Sequence, residues 1–208
     1  WSRLLQEKEL PAVHLEVYGE TATTHQSAYD VHTNLLRATS AAFGAIVGGA
    51  DAVQIRPYNS AVTFADPEGE RLALNQHFVL AYESYLDRVE DPAAGAYYIE
   101  TLTDELSKAA WEILGNLREQ GGILEALKNG WVQDELAREV EKAMPEKVMG
   151  VNLFPNAEEE LPSTYSPKKS IERESWQKRH RDKSIEPLIP VQWAVDLEHA
   201  RAEQSPSK

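Results

Sequence analysis

Cysteine is absent from this 208-residue chain, and so is any long run of apolar residues. Without cysteine the chain has no disulfide, no thiolate nucleophile and no cysteine-ligated metal, which fits a reducing compartment. No segment approaches the roughly 20 apolar residues that span a bilayer, and no basic-then-apolar leader precedes a cleavage site. We therefore expect a soluble, cytoplasmic protein that does not associate with membranes.

Common catalytic and metal-binding motifs are missing too. The sequence contains no G-x-x-x-x-G-K, G-x-G-x-x-G, G-x-S-x-G or H-E-x-x-H. Phosphate-loop, dinucleotide-binding, serine-hydrolase and zincin functions therefore have no support. Neither His25 nor His32 has a ligand-type partner three or four residues further on, so we expect no metal site.

The net charge of −13 argues against nucleic acid as a partner, because phosphate binding needs Lys and Arg gathered on one face. Positive charge is concentrated only between residues 163 and 183, a segment with few apolar residues. We interpret this run as a solvated arm, or alternatively as a docking surface for an acidic partner or a phosphate. Its basic residues are Lys168, Lys169, Arg173, Lys178, Arg179, Arg181 and Lys183.

The first half of the chain predicts a strand, a helix and a second strand. Period-two apolar positions indicate strands over 12–19 and 51–59, the second ended by Pro57. Between them, Asp30 is a candidate N-cap, and Gly48 and Gly49 provide a helix stop. A connection of this length is the crossover that parallel strand pairing requires.

Further helices follow, with a late strand after them. One helix is predicted to begin at Asp66-Pro67, because apolar residues recur at helical spacing at Leu72, Val79, Tyr82 and Leu86. Another is predicted with Thr101 and Asp104 as a capping pair. Two shorter helical pieces and a strand over 148–155 complete the pattern. We place a boundary near Pro162, which divides the chain into a domain at 1–161 and an extension at 162–208.

Alternating strands and helices predict an α/β fold with parallel pairing. A closed eight-stranded barrel needs roughly 250 residues, so this chain cannot complete one by itself. If the strands belong to a barrel, polar residues at their carboxyl ends lie on the face where barrel enzymes place their sites. The substrate-facing candidates are Glu20, Arg56 and Asn59, and hydrogen bonding within the loops is the alternative role for each.

Four stretches of the chain resemble sequence motifs of one enzyme family. Residues 91–114 and 119–130 resemble D-P-x-x-G-x-x-Y-V-E-x-L-T-x-x-L-x-x-x-A-W followed by Q-G-G-M-x-x-A-L-x-x-G. Residues 29–59 are similar to D-x-Y-x-N-x-L-R-x-T with G-G-A-D-S and a strand ending in P-F-N. Residues 72–92 are similar to I-A-R-N-T-Q-x-x-L-x-x-E-S-x-x-x-R-V-x-D-P, with Leu74 in place of the arginine. These are motifs of the methylmalonyl-CoA mutases and related acyl-CoA mutases, and the resemblance runs from about Val13 to Pro155.

The resemblance implies the C-terminal part of a substrate-binding (β/α)8 barrel, and adenosylcobalamin-dependent rearrangement of an acyl-CoA thioester. Catalytic chains of the family carry H-x-Q-T-S-G-W where this chain has Tyr18 for the histidine and Glu20 for the glutamine. Replacing an amide by a carboxylate removes two donors and adds a negative charge. No residue is therefore assigned a catalytic role. The stretch that starts at Glu20 is instead similar to the E-T-S-x-W of the non-catalytic small subunit, and residues 150–156 are similar to its G-V-N-x-F-P-N linker.

Cofactor binding is expected to lie mostly outside this chain. Asp30 to His32 resembles the start of the cobalt-binding D-x-H-x-x-G loop, but Leu35 stands where glycine is needed, and we read this stretch as a helix start. The resemblance implies contact with the adenosyl part of the cofactor only for Glu83. We expect adenosylcobalamin to belong to the complex and not to be bound by this chain alone.

Three functional hypotheses remain open. The first is a small-subunit-like portion of a methylmalonyl-CoA mutase, which supports a large catalytic subunit in a heterodimer and is inactive alone. The second is an active acyl-CoA mutase piece whose cobalamin comes from another chain. The third is a non-enzymatic scaffold that reuses the fold. The barrel strands expected before Val13 are missing, so the chain is either part of a longer subunit or is completed by another chain.

Overall fold

The computed structural model describes residues 1–62, 66–143, 147–161, 165, 185, 186, 188 and 193–204. The predicted boundary near Pro162 and nearly all of the basic run lie outside these residues, so the two-part division stays a prediction. Among the described helices, none is long and apolar enough to cross a membrane.

The described residues form seven α-helices and two short strands. The helices are α1 (Ser2–Glu7), α2 (Thr33–Val47), α3 (Pro67–Phe78), α4 (Tyr97–Glu119), α5 (Ile123–Lys128), α6 (Trp131–Ala143) and α7 (Val195–Gln204). The strands are β1 (Tyr18–Glu20) and β2 (Ala52–Gln54). A 3-10 turn at Thr23–His25 follows β1, and a π-helical turn at Val79–Glu83 continues α3.

The predicted strand-helix-strand unit is confirmed, but its strands are shorter than predicted. β1 and β2 pair in parallel, with Tyr18 opposite Ala52 and Glu20 opposite Gln54. The stretch before β1 makes one further sheet-like contact, from the Asp51 and Ala52 amides to the Val17 carbonyl. The apolar side chains of Val13, Leu15 and Val17 are exposed. The described residues thus form an α/β structure with a small parallel sheet, and not a closed barrel.

Helix α2 begins later than the Asp30 cap predicts. Its first residue is Thr33, and His32 occupies the cap position without a side-chain cap hydrogen bond. Asp30 instead adopts a left-handed backbone conformation (φ 46°) and accepts a hydrogen bond from the Thr33 hydroxyl at 2.5 Å. The glycine stop is confirmed, since the helix ends at Val47 and Gly49 has φ 81°.

Helices α2 and α3 pack on β2 to form one of two apolar clusters. Ala38, Ala42, Ile55, Ala73 and Leu80 are its buried members. Asp66 caps α3 as predicted, accepting a 2.8 Å hydrogen bond from the Gly69 amide. The buried positions of α3 are Gly69, Ala73 and Gln76, rather than the predicted stripe that includes the exposed Val79 and Tyr82.

Helix α4 starts four residues before the predicted capping pair. It begins at Tyr97, so Thr101 and Asp104 lie within the helix and the capping prediction is wrong. The Gly95 amide donates instead to the Glu100 carboxylate at 3.1 Å. No residue of α4 is buried, and its apolar stripe faces solvent. The exposed members of the stripe are Tyr98, Leu102, Leu106 and Ile113.

The late strand predicted over 148–155 is wrong. Residues 148–153 form a tight turn in which the Val148 carbonyl accepts from the amides of Val151, Asn152 and Leu153. A single bridge joins Met149 and Leu153. The turn presents Val148 and Val151 to a second apolar cluster, where they pack with Tyr29 and Ala194.

Candidate functional site

The carboxyl ends of β1 and β2 lie side by side and bring together Glu20 and Arg56. The Arg56 Nη2 atom lies 2.9 Å from the Glu20 Oε1 atom, and each side chain is a little over 40% exposed. The sequence predicts both residues at this edge, and the structure places them in direct contact. An ion pair this exposed is well screened by water, so it satisfies both charges without forming a rigid site.

Thr21 fixes the backbone beneath this pair. Its amide donates to the Gln54 carbonyl at 3.0 Å, and its hydroxyl accepts from the Arg56 amide at 2.9 Å. Gln26 adds a bond from its side-chain amide to the Pro57 carbonyl at 3.0 Å. Both Thr21 and Gln26 are buried, so the two loops are held together independently of the Glu20–Arg56 pair.

Asn34 is an organising residue that the sequence reasoning missed. Its side chain is fully buried; Oδ1 accepts from the Ser27 amide, and Nδ2 donates to the carbonyls of Ser27 and Tyr58. Arg37 donates to the same Oδ1 at 2.7 Å. Both residues occupy fixed positions of the D-x-Y-x-N-x-L-R-x-T pattern, which is the signal that could have identified them.

Asn59 is turned toward helix α3 and away from the open site. Its Nδ2 donates to Asp66 Oδ2, while Oδ1 is buried without a hydrogen-bond partner in the described part of the chain. Gly69 is required here, because a Cβ at that position would lie 2.6 Å from Asn59 Oδ1. The geometry gives Asn59 a structural role, which was the alternative to facing a substrate.

Tyr18 and Glu20 lie two residues apart on β1 and therefore share a face of the strand. Tyr18 is 71% exposed, and its hydroxyl donates to Glu16 Oε2 at 2.7 Å. This hydrogen bond raises the pKa of the Tyr18 phenol. Tyr18 is therefore neutral at pH 7 and is committed to a neighbouring carboxylate.

Glu83 lies apart from these residues. It is exposed at the end of the π-helical turn, about 25 Å along the helix from Asp66 at 1.5 Å per residue. Asp66 contacts Asn59 at the carboxyl end of β2, so Glu83 is at the opposite end of α3 from that edge. The structure does not bring Glu83 together with Glu20 and Arg56, and its contact with a cofactor stays a prediction.

Neither His25 nor His32 lies in a complete cobalt-binding loop of the family's kind. The His32 ring stacks on Tyr58 at a centroid distance of 5.1 Å, in the segment that lacks the glycine of the cobalt-binding loop. The His25 ring lies against Trp193 at 3.8 Å, and burial lowers its pKa. No cluster of three or more metal-ligand side chains occurs within the described ranges.

Comparison with known proteins shows which protein family this chain is similar to. The family model described as methylmalonyl-CoA mutase matches residues 1–186. The chain is 36% identical over 162 residues to the methylmalonyl-CoA mutase small subunit of Streptomyces virginiae, covering 74% of this chain and 26% of that protein.

Two further relatives show the same partial coverage. The small subunit of Porphyromonas gingivalis is 33% identical over 66% of this chain and 25% of its own length. The 2-hydroxyisobutanoyl-CoA mutase large subunit of Aquincola tertiaricarbonis is 30% identical over 72% of this chain and 28% of its own. The chain therefore spans about a quarter of the length of these relatives.

Proposed function

This chain belongs to the methylmalonyl-CoA mutase family, and we propose that it is a small-subunit-like part of such a mutase that supports a catalytic large subunit. In this proposal the chain supplies the C-terminal part of a (β/α)8 barrel. The interconversion of methylmalonyl-CoA and succinyl-CoA belongs to the complex, and the isolated chain is inactive. Two of the relatives named above are small subunits.

The observation that carries the proposal is the contact between Glu20 and Arg56. At the position of a neutral amide in the family's catalytic chains, this chain has a carboxylate whose nearest charged partner is its own Arg56, 2.9 Å away. A carboxylate paired in this way offers no N–H donor to an acyl oxygen. The buried contacts of Thr21 and Gln26 hold this edge together, and Glu20 itself supplies no donor of the kind that the amide would have offered.

The solvent-facing stripe of α4 supports assembly with another chain. Contiguous exposed apolar patches mark interaction surfaces in folded proteins. The stripe presents Leu106 at 61% and Ile113 at 60% exposure along a helix without buried residues. We propose that the large subunit or the remainder of the barrel covers it.

The family is generally cobalamin-dependent, and we propose that another chain holds the cofactor. The sequence contains no complete D-x-H-x-x-G cobalt-binding loop, since Leu35 stands at its glycine position. An acyl-CoA remains a candidate ligand of the complex.

The mass of the chain from light scattering, measured alone and mixed with a mutase large subunit, tests this proposal. We expect the 23.3 kDa chain to join the large subunit in a defined one-to-one complex. A large subunit already bound to its own small subunit should not take up the chain. Failure to form a complex at micromolar concentration would contradict the proposal and favour a free-standing scaffold.

Two variants test whether the α4 stripe contacts the large subunit. Leu106→Glu places a charge in the α4 stripe and should weaken the complex while the far-ultraviolet circular dichroism stays unchanged. Glu105→Gln, one residue away and also exposed, is the matched control and should assemble like the original chain. If both variants assemble equally well with the large subunit, the α4 stripe is not part of the interface.

A further inference from the structure

A cavity of about 270 Å³ lies between the loop after β1, helix α2, residues 147–149 and the residues that lead into α7. The cavity borders Thr21 but includes neither Glu20 nor Arg56, so the proposed function leaves it without a role.

The charged groups lining the cavity are all cationic. Arg37 is half-buried there and donates two hydrogen bonds, to Asn34 Oδ1 and to the Met149 carbonyl at 2.8 Å. A guanidinium has five N–H donors. Lys147 is exposed, and within the described ranges no ion pair engages its ammonium group. The lining includes no carboxylate, although Asp30 and Glu198 behind it lie close enough to Arg37 to interact with its charge.

The remaining walls of the cavity are mostly apolar. Val148, Met149 and Ala41 line it together with the indole of Trp193. Trp193 is held in place by its amide, which donates to the Thr24 carbonyl at 3.0 Å, and by its contact with the His25 ring. Because burial lowers the pKa of His25, its imidazole is neutral at pH 7 and the positive charge comes from Arg37 and Lys147.

We propose that this cavity binds a small organic monocarboxylate with an apolar or aromatic body. The carboxylate accepts charge-assisted hydrogen bonds from Arg37 and Lys147, which are the stronger class of hydrogen bond in proteins. The body of the ligand packs against Trp193 and Met149, where its apolar surface leaves water. Pockets for small molecules combine apolar walls with a few placed polar groups in this way.

The test is calorimetric titration of the full chain with three probes. Benzoate carries both features of the proposed ligand, benzamide is its neutral counterpart of nearly the same shape, and inorganic phosphate is an anion without an apolar body. We expect saturable one-to-one binding of benzoate, with benzamide and phosphate each bound at least about three-fold more weakly. Binding of benzamide or phosphate as tight as that of benzoate would overturn the proposal, as would the absence of saturable benzoate binding at millimolar concentration.

Three variants link the binding to this cavity. Lys147→Gln should weaken benzoate binding by about three-fold or more, since it removes an exposed cation. Ala41→Leu should weaken it by about ten-fold or more, because the larger side chain fills space where the ligand would lie. Lys108→Gln makes the same charge change on α4 and should leave the affinity unchanged. Benzoate binding that neither Lys147→Gln nor Ala41→Leu alters would place the ligand elsewhere and overturn the proposal.

Discussion

The Glu198 carboxylate accepts a 2.9 Å hydrogen bond from the Ser27 hydroxyl, although 171 positions separate the two residues. The same oxygen accepts from the Ala28 amide at 2.8 Å, and the other accepts from the Tyr165 hydroxyl at 2.7 Å. Glu198 is fully buried. Helix α7 is thereby joined to the loop that leads into α2, close to the Asn34 network.

We predict that Glu198→Ala lowers the free energy of unfolding by about 2–4 kcal/mol, because it leaves buried donors without an acceptor. Urea unfolding followed by circular dichroism measures the change. Glu203→Gln, at an exposed position of the same helix, is the control and should change stability by less than about 0.5 kcal/mol. Equal effects of the two variants would mean that the buried carboxylate contributes nothing specific.

Gly150 offers a second test of the same region. It has φ 75°, and an added Cβ would collide with the Asp30 side chain. We predict that Gly150→Ala lowers the free energy of unfolding by about 2–3 kcal/mol, since backbone strain and a clash act together.

Gly95→Ala separates the two contributions to the effect at Gly150. Gly95 has nearly the same φ of 74°, but a Cβ there would meet nothing within 4 Å. We expect a loss of only about 1 kcal/mol from the left-handed conformation. Equal losses in urea unfolding would show that the contact with Asp30 has no energetic role.

The Asp66 cap predicts a dependence of stability on pH. Its hydrogen bond from the Gly69 amide, aided by Asn59, lowers the pKa of Asp66 below 3.8. A carboxyl group whose pKa is lower in the folded than in the unfolded state stabilises the fold at pH values above its unfolded-state pKa. This contribution is lost as the pH falls through the folded-state pKa. We expect Asp66→Asn to be less stable than the original chain at pH 7, with the difference shrinking below pH 3.8.

Unfolding midpoints in urea at a series of pH values from 7 to 2 measure this difference. Glu112→Gln, at an exposed position of α4, is the control and should track the original chain throughout. A difference between Asp66→Asn and the original chain that stays constant down to pH 2 would contradict the assignment of the lowered pKa to Asp66.

Glu20→Gln tests whether the chain takes part in turnover. The exposed ion pair with Arg56 contributes at most about 1 kcal/mol to stability, so the variant should fold and assemble normally. In the proposed supporting role, the mutase rate per assembled complex is unchanged. Glu83→Ala should behave in the same way, and a changed rate for either variant at equal complex concentration would assign this chain a part in the chemistry.

Local patterns in the sequence predicted the strand-helix-strand unit and placed Glu20 and Arg56 at the same edge, although not their direct contact. The alternation around Val17, the glycines after Val47 and the rules of parallel pairing are enough for this result. Strand length was not predictable from local patterns, because it depends on which backbone segments form hydrogen-bonded pairs in the folded chain. The start of α4 was missed because its cap position is Ala96, which has no side-chain cap hydrogen bond and so gives no signal in the sequence.

The organising contacts of the candidate site were beyond local reasoning for a different reason. Asn34 bonds to Tyr58 across 24 positions, and Glu198 bonds to Ser27 across 171. Such contacts leave no periodicity in the sequence. The cavity beside Arg37 was likewise unpredictable, because it exists only once Trp193 has packed beside the loop after β1.

The hydrogen bond between Ser27 and Glu198 has a consequence for synthesis of the protein. At about 5–20 residues per second, the ribosome needs on the order of 10–30 seconds to produce the intervening chain. Throughout that interval the Ser27 hydroxyl and the Ala28 amide lack their native acceptor. The nascent chain therefore completes the loop before α2 only after Glu198 has been synthesised, so this loop cannot reach its native hydrogen bonding while α7 is still missing.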